Sequence, residues 1–112
     1  LLVSEQNGRI GGYVSLSTFN EKAAYDSTVE LSLYIDREFR GQGLGKQMMK
    51  AVLDYAEADA VTHNVISLIT GTNEASLHLH ERFGFTKVGT MHEVGFKAGQ
   101  LLDVHIYERI LK

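Results

Sequence analysis

The sequence predicts a mixed α/β fold built around one central strand–helix–strand unit. Apolar and polar residues alternate over Val29–Asp36, apolar residues recur at helical spacing from Leu44, and short strand-like segments precede and follow this pair. The expected order is β-β-β-α-β-α-β-β. We expect the segment from Val29 to Thr70 to be a right-handed parallel crossover.

The composition favours a soluble globular domain and argues against a nucleic-acid-binding or membrane-spanning protein. The 112 residues are 44% hydrophobic and 22% charged, as in an ordinary soluble globular domain. The net charge of -3 offers no basic footprint for nucleic acid, and no apolar run approaches the roughly 20 residues of a membrane span. The absence of cysteine excludes disulfides and thiolate catalysis. With no signal-peptide pattern, we expect a cytoplasmic protein without nucleic-acid or membrane partners.

The first elements form a hairpin and a central strand. Leu1–Glu5 and Arg9–Phe19 are predicted strands joined at Asn7-Gly8, a strong two-residue turn signal. Asn20–Ser27 is polar and turn-like. In the next strand, one face is apolar and the other polar; the apolar face comprises Val29, Leu31, Leu33 and Ile35, and the polar face Glu30, Ser32, Tyr34 and Asp36.

Two helices and three strands complete the prediction. The first helix ends near Asp59, and its apolar positions are Leu44, Met48, Met49, Val52, Tyr55 and Ala56. Val65–Thr70 is predicted as a buried strand. Asn73 is a good N-cap for a helix to about Phe83, and Gly84 fits the left-handed position after it. The predicted strands Phe85–Glu93 and Leu101–Ile110 are joined by "GFKAG".

The stretch "RGQGLGK", residues 40–46, places three glycines where a helix begins. The first N–H groups of a helix have no intrahelical acceptor, and glycines let an anion approach them closely. Arg40 and Lys46 can add charged hydrogen bonds, so the stretch suits a phosphate or pyrophosphate. Its glycine spacing fits neither the Walker loop nor the dinucleotide fingerprint. A glycine-rich turn that merely caps the helix is the alternative.

Two motifs together indicate a family. Arg40-x-x-Gly43-x-Gly45 after a strand resembles the pyrophosphate-binding motif of the GNAT N-acetyltransferases. "NEASLHLHERFGF" resembles their second motif, with His80 where many members carry tyrosine; the matching residues are Asn73, Ser76, Leu79, Gly84 and Phe85.

Nearly the whole chain resembles one branch, the phosphinothricin and methionine sulfoximine acetyltransferases, through "AAYDSTVELSLYID", "LHERFGF" and "VGTMHEVGFKAGQLLDV". The resemblance implies a mixed, mostly antiparallel sheet with a central β-α-β pyrophosphate-binding unit flanked by helices. It also implies that residues 1–112 are a single acetyl-CoA-binding acetyltransferase domain without its first strand and two helices. Two positions near the acceptor region depart from the branch. Leu101 or Leu102 stands where an aromatic residue is usual, and Lys22 where arginine is common.

The resemblance also implies how acetyl-CoA is held as co-substrate. The pyrophosphate would lie on the glycine stretch, at Arg40, Gly41, Gln42, Gly43, Leu44, Gly45 and Lys46. The pantetheine arm would pair with the backbone of Leu33, Tyr34 and Ile35 like an added strand, and Asn73 and Ser76 would contact the cofactor. The alternatives are a strand paired with another strand at 33–35, and a helix cap at Asn73.

Catalysis needs a base for the amine and a proton for the leaving thiolate. The resemblance places Glu30 facing the acceptor as the base and His80 facing the reaction centre, to protonate the thiolate directly or through water. A carboxylate on a solvated sheet face and a half-buried structural histidine are the alternatives.

Three weaker candidates for the acceptor pocket are Tyr25, Lys97 and Asp103, each of which could equally be a surface or loop residue. We predict no metal. His78 and His80 point to opposite sides of a helix, and the other histidines have no ligand spacing.

The leading functional hypothesis is transfer of an acetyl group from acetyl-CoA to a small amino-acid-like amine, such as phosphinothricin or methionine sulfoximine. A protein N-terminal or lysine acetyltransferase and a non-catalytic CoA-binding domain are the alternatives. Relatives in this family are often dimers, so the resemblance also admits a homodimer.

Overall fold

The computed structural model describes residues 2–6, 8–41 and 43–111. Within these ranges, six strands and two α-helices follow one another. They are β1 Leu2–Gln6, β2 Arg9–Thr18, β3 Thr28–Ile35, α1 Leu44–Ala58, β4 Asn64–Thr70, α2 Glu74–Arg82, β5 Thr86–Lys97 and β6 Gln100–Ile110. Short 3₁₀ turns at Ala23–Tyr25 and Arg37–Phe39 flank β3. The predicted order of elements is confirmed.

The six strands form one sheet in the order β1-β2-β3-β4-β6-β5. Only β3 and β4 are parallel, and α1 connects them, while the other neighbours are antiparallel. The fold class predicted from the sequence, a mostly antiparallel sheet around a central β-α-β unit, is therefore confirmed. None of the helices within the described ranges is long and apolar enough to cross a membrane.

Both helices contribute to one core on the same face of the sheet. The apolar stripe of α1 packs on Val14, Leu31 and Val65, the core-facing residues of β2, β3 and β4. The buried residues of that stripe are Leu44, Met48, Met49, Val52, Leu53 and Ala56. Tyr55, predicted as part of the stripe, is 71% exposed. Leu53 is buried instead, and the other five predicted positions of the stripe are confirmed.

The last hairpin differs from its prediction. Strands β5 and β6 turn at Ala98 and Gly99, so most of the predicted "GFKAG" connection belongs to β5. The register of the two strands shifts between Met91 and Gly95, and Glu93 has a φ of 55°. The Glu93 N–H donates to the Asp103 carboxylate at 2.9 Å, which fixes this bulge. The bulge absorbs the extra residues without breaking the strand.

The first turn lies between Gln6 and Arg9, which pair across β1 and β2. Gly8 adopts a φ of 76°, and Asn7, the other residue of the predicted turn, lies outside the described residues. Asn73 caps α2 by accepting the Ser76 N–H at 3.2 Å, and Gly84 follows that helix with a φ of 88°. Both predictions at α2 are confirmed.

Candidate active site

The central feature of the site is a gap between two neighbouring strands. Strands β3 and β4 pair from Thr28 with Asn64 to Leu31 with Ser67. Beyond that point β3 continues to Ile35 and β4 to Thr70, but the ladder between them has ended. The edge of β3 over residues 32–35 therefore faces a gap, while its other edge remains paired with β2. Backbone groups at such an edge can pair with an extended ligand.

The glycine stretch stands at the wide end of this gap. Gly43 is the N-cap of α1 with a φ of 77°, a left-handed conformation that favours glycine, and no side chain caps the helix. A Cβ built on Gly43 would meet nothing within 4 Å. The N–H groups of the first turn, Leu44–Lys46, have no acceptor within the helix, so they face outward with the positive end of the helix dipole.

A cavity of about 190 Å³ lies against this turn, and we name it the anion cavity. Its lining comes from the end of β3, the glycine stretch and the start of α2. These residues are Leu33, Ile35, Phe39, Arg40, Gly41, Gly43, Leu44, Gly45, Asn73, Ala75 and Ser76. Lys46 is exposed on the same turn, and Gln42 lies outside the described residues. The Arg40 Nε donates a long hydrogen bond of 3.4 Å to the Ile35 carbonyl.

A second cavity of about 230 Å³ continues between the strands, and we name it the slot. It shares Leu33, Asn73 and Ser76 with the anion cavity, so the two are adjoining parts of one cleft. The rest of its lining is Glu30, Leu31, Ser32, Ser67, Leu68, Ile69, Thr70 and His80. The structure thus brings together the two predicted catalytic residues and most of the predicted cofactor-binding ones.

Glu30 and His80 reach the slot from opposite faces of the sheet. Leu31 packs into the core beneath the helices, so Glu30, its neighbour in the strand, points to the other face. Ser67 pairs in register with Leu31 and shares its face, and His80 of α2 is hydrogen-bonded to Ser67. The slot therefore passes through the sheet, with a carboxylate on one side and an imidazole–hydroxyl pair on the other.

The hydrogen bonds of His80 define its protonation. The ring is 2% exposed, and Nδ1 lies 2.7 Å from the Ser76 carbonyl oxygen, which can only accept. Nδ1 therefore carries the proton, while the Ser76 Oγ lies farther away, at 3.4 Å. Nε2 is then free to accept the Ser67 hydroxyl at 2.9 Å. Burial lowers the pKa of His80 below its ordinary value, although the Ser76 carbonyl opposes that shift.

Tyr34 takes part in the gap through its backbone and not through its ring. The ring is 47% exposed and stacks on Tyr13 with ring centroids 5.7 Å apart, on the face away from the helices. Its backbone lies at the open edge of β3 between Leu33 and Ile35, whose side chains line the anion cavity. That these three residues bind the cofactor through main-chain groups stays a prediction.

The three candidate acceptor residues do not line the described cleft. Tyr25 lies beside a separate groove near Tyr55, and Lys97 is exposed next to the β5–β6 turn. Asp103 is committed to the β5 bulge, where it accepts the Glu93 N–H and lies 3.4 Å from His92 Nδ1. The Glu93 N–H, first, and His92 lower the pKa of Asp103. Their role in acceptor binding stays a prediction.

Ser67 is a residue of the slot that the sequence did not single out. It is 1% exposed in a strand of largely apolar residues. A signal was available, because Val65, Ser67 and Ile69 alternate on the core-facing side of β4 and the middle position is polar. Within residues 2–6, 8–41 and 43–111, no three His, Asp or Glu side chains are placed to share a metal ion.

Comparison with known proteins gives a consistent result. Residues 1–85 match the model of the acetyltransferase (GNAT) family. The chain is 38% identical over 104 residues to an L-amino acid N-acyltransferase of Escherichia coli, covering 93% of this chain and 60% of that protein. It is 39% identical over 106 residues to a phosphinothricin N-acetyltransferase of Streptomyces coelicolor, with 95% and 61% covered.

A solved structure agrees with these relatives. The crystal structure of a GNAT superfamily phosphinothricin acetyltransferase from Sinorhizobium meliloti, in complex with acetyl-CoA, superimposes with a TM-score of 0.87 at 34% identity. The match covers 96% of this chain and 57% of that one. The chain thus spans about 60% of the length of the curated relatives it matches.

Proposed function

The chain belongs to the GNAT acetyltransferase family, and from this premise we propose that it transfers an acetyl group from acetyl-CoA to the amine of a small amino-acid-like acceptor. The observation that carries the proposal is the through-sheet slot, with Glu30 on one side and the Ser67–His80 pair on the other. The slot opens directly into a cavity at a helix N-terminus that is suited to a pyrophosphate.

The residues present fit acetyl-CoA. The N–H groups at the start of α1 receive the pyrophosphate, and the space beside Gly43 allows its close approach. Arg40 and Lys46 neutralise its charge. The open edge of β3 over Leu33–Ile35 pairs with the amide groups of the pantetheine arm, which leads from the anion cavity into the slot. The side-chain oxygen of Asn73 accepts the hydrogen bond of the helix cap, and its side-chain amide N–H groups donate to the pantetheine arm.

The slot supplies the groups that acyl transfer requires. Acetyl-CoA brings an activated acyl group, whose carbonyl must accept negative charge as the amine attacks. A free amine has a pKa of about 10, so a base must remove its proton. Glu30 faces the side from which an amine can enter, and such a base contributes on the order of 10²–10⁴ in rate. An N–H group at the β3 edge stabilises the developing oxyanion.

The acceptor class is proposed from the relatives. Their names specify L-amino acids and phosphinothricin, which share an α-amino group beside a carboxylate. The acceptor enters on the face that bears Glu30 and Ser32, away from the helices. Binding of CoA without catalysis is a second candidate, because Tyr25, Lys97 and Asp103, the three candidate acceptor residues, do not line the described cleft.

Two measurements test the proposal in sequence. Calorimetric titration with acetyl-CoA should show one site, and a thiol-release assay over a panel of amino acids, including phosphinothricin and methionine sulfoximine, should show amine-dependent turnover. Binding without turnover on any amine would favour the non-catalytic function, and turnover only with peptides would move the acceptor to protein amines. Failure to bind acetyl-CoA would overturn the whole proposal.

A further inference from the structure

The position of Ser67 is unusual for a polar residue. It occupies the last paired position of β4 against β3, where the slot begins, and it is 1% exposed among core residues. A buried hydroxyl is expensive unless its hydrogen bonds are made. Ser67 makes one of them to His80 Nε2 at 2.9 Å, and it also lines the slot. The hydroxyl therefore lies between the imidazole and the space that a ligand would fill.

The hydrogen-bond directions limit what His80 can do alone. Its only N–H in the neutral form, at Nδ1, donates to the Ser76 carbonyl. Nε2 accepts from Ser67 and carries no proton. Neutral His80 therefore has no proton available for a leaving group. Its Nε2, the nitrogen nearer the slot, is covered by the Ser67 hydroxyl. Direct protonation of a thiolate by His80 does not fit this arrangement.

A hydroxyl can reverse its role, because it is both a donor and an acceptor. When His80 is protonated, its Nδ1–H still donates to Ser76 and its Nε2–H donates to the Ser67 oxygen. The Ser67 proton then turns away from the imidazole and into the slot. In the neutral state, the Ser67 hydroxyl donates to Nε2 of His80. In the charged state, Nε2–H donates to Ser67, and the Ser67 hydroxyl donates to an anion in the slot.

We propose that Ser67 is a further catalytic residue, which passes a proton from His80 to the sulfur that leaves during acetyl transfer. The inference rests on the proposed function. As the carbon–sulfur bond breaks, its electron pair goes to sulfur and sulfur takes the Ser67 hydroxyl proton. Ser67 simultaneously takes the Nε2 proton of the His80 imidazolium, which becomes neutral. The imidazolium forms when the neutral His80 takes a proton from solvent, once in each turnover, so atoms and charge balance.

The surroundings of the pair suit such a step. Glu30 faces the slot from β3, and Tyr107 of β6 packs beside His80 and donates its hydroxyl to Glu81 of α2 at 3.1 Å. Phe85 packs edge-on against the imidazole, with ring centroids 4.9 Å apart. Because burial lowers the pKa of His80, its protonated form gives up the proton readily.

Steady-state kinetics of Ser67→Ala tests the inference, with Ser15→Ala of β2, which does not line the slot, as the matched control. We expect kcat of Ser67→Ala to fall about 10²-fold, the scale of a lost general acid, while its KM for acetyl-CoA stays within about twofold. Ser15→Ala should match the wild type. An unchanged kcat for Ser67→Ala, or a parallel loss of acetyl-CoA binding, would overturn the inference.

A spectroscopic measurement on the wild-type protein removes the dependence on a variant that folds. Nitrogen-15 shifts of His80 should report a proton on Nδ1 in the neutral ring, and a second proton, on Nε2, only when the ring becomes charged as pH falls. A neutral ring that carries its proton on Nε2 instead of Nδ1 would show that Nε2 cannot accept the Ser67 hydroxyl and would refute the relay. An inactive wild type with this Nδ1–H signature would count against the proposed function instead, which separates the two failures.

Discussion

Strand β4 has two edges that behave differently. Against β6 it is paired along its whole length, from Asn64 with Ile110 to Thr70 with Val104. Against β3 it is paired only as far as Ser67. We call the fully paired edge of β4 the closed edge and the other the open edge. At the closed edge, β6 is also hydrogen-bonded to both helices, because Tyr107 donates to Glu81 of α2 and Arg109 to Glu57 of α1. Strand β4 therefore stabilises the fold through one edge and lines the candidate active site along the other.

The largest expected effect on the rate comes from changing Glu30, which lines the slot beside the open edge of β4. We expect Glu30→Gln to lower kcat on the order of 10²–10⁴-fold, because the amide cannot take a proton from the amine. The affinity for acetyl-CoA and the free energy of unfolding should hardly change, since Glu30 contributes nothing to the core. Steady-state kinetics and urea unfolding measure both quantities, with the exposed Glu21→Gln as the control. Equal rates for the wild type and Glu30→Gln at every pH would remove Glu30 from the mechanism.

The next effect concerns the wide end of the gap. In Gly43→Ala, a φ of 77° becomes strained by roughly 1–2 kcal/mol. The loop relaxes and turns its N–H groups, so we expect acetyl-CoA to bind about tenfold more weakly. Gly8→Ala is a matched control, with a φ of 76° and similarly open surroundings in the β1–β2 turn. Both variants should lose similar stability. If both also bound acetyl-CoA equally well, the anion cavity would be misassigned.

The sequence was sufficient for the elements and for much of the site. The alternation in β3 placed Glu30 opposite Leu31, and the glycine spacing located the start of α1. The length of the β3–β4 ladder could not be predicted, because strand pairing is a tertiary property that Val29–Ile35 and Val65–Thr70 do not encode locally. Ser67 does carry a local signal, as a polar residue on the buried face of β4, but that signal does not show its role. Its meaning depends on His80, thirteen positions away on another element.

A smaller effect is expected from the pH dependence of stability. Burial lowers the pKa of His80 in the folded chain below 6.5, so the unfolded chain binds an additional proton between the two pKa values. The free energy of unfolding is therefore highest above about pH 6.5. It falls as pH decreases towards the pKa of His80 in the folded chain, by up to about 1.4 kcal/mol per pH unit.

Urea unfolding across this interval checks the His80 prediction. His80→Gln should flatten the pH dependence, whereas His78→Gln, an exposed histidine on the same helix, should keep it. A wild-type stability that is constant over the interval would show that His80 is not held neutral. It would also remove the support that burial gives to the Ser67 relay.

The smallest expected effect is on stability and comes from changing Tyr107 at the closed edge of β4. Tyr107→Phe removes the hydrogen bond to Glu81, which should lower the free energy of unfolding by about 1 kcal/mol. The rate of acetyl transfer should stay unchanged, because the hydroxyl of Tyr107 points to Glu81 and not into the slot. A variant that loses rate but keeps its stability would reverse the division of roles between the two edges of β4.

Amide hydrogen exchange with and without acetyl-CoA shows whether the gap between β3 and β4 is the cofactor site. If the gap between β3 and β4 receives the cofactor, then acetyl-CoA should slow exchange over residues 32–35 and 43–46, where backbone N–H groups face the cleft. Exchange along the β4–β6 ladder should change little, because its amides are already paired. Protection confined to other segments, or no protection at these two while acetyl-CoA is bound, would show that the cofactor does not bind in the gap.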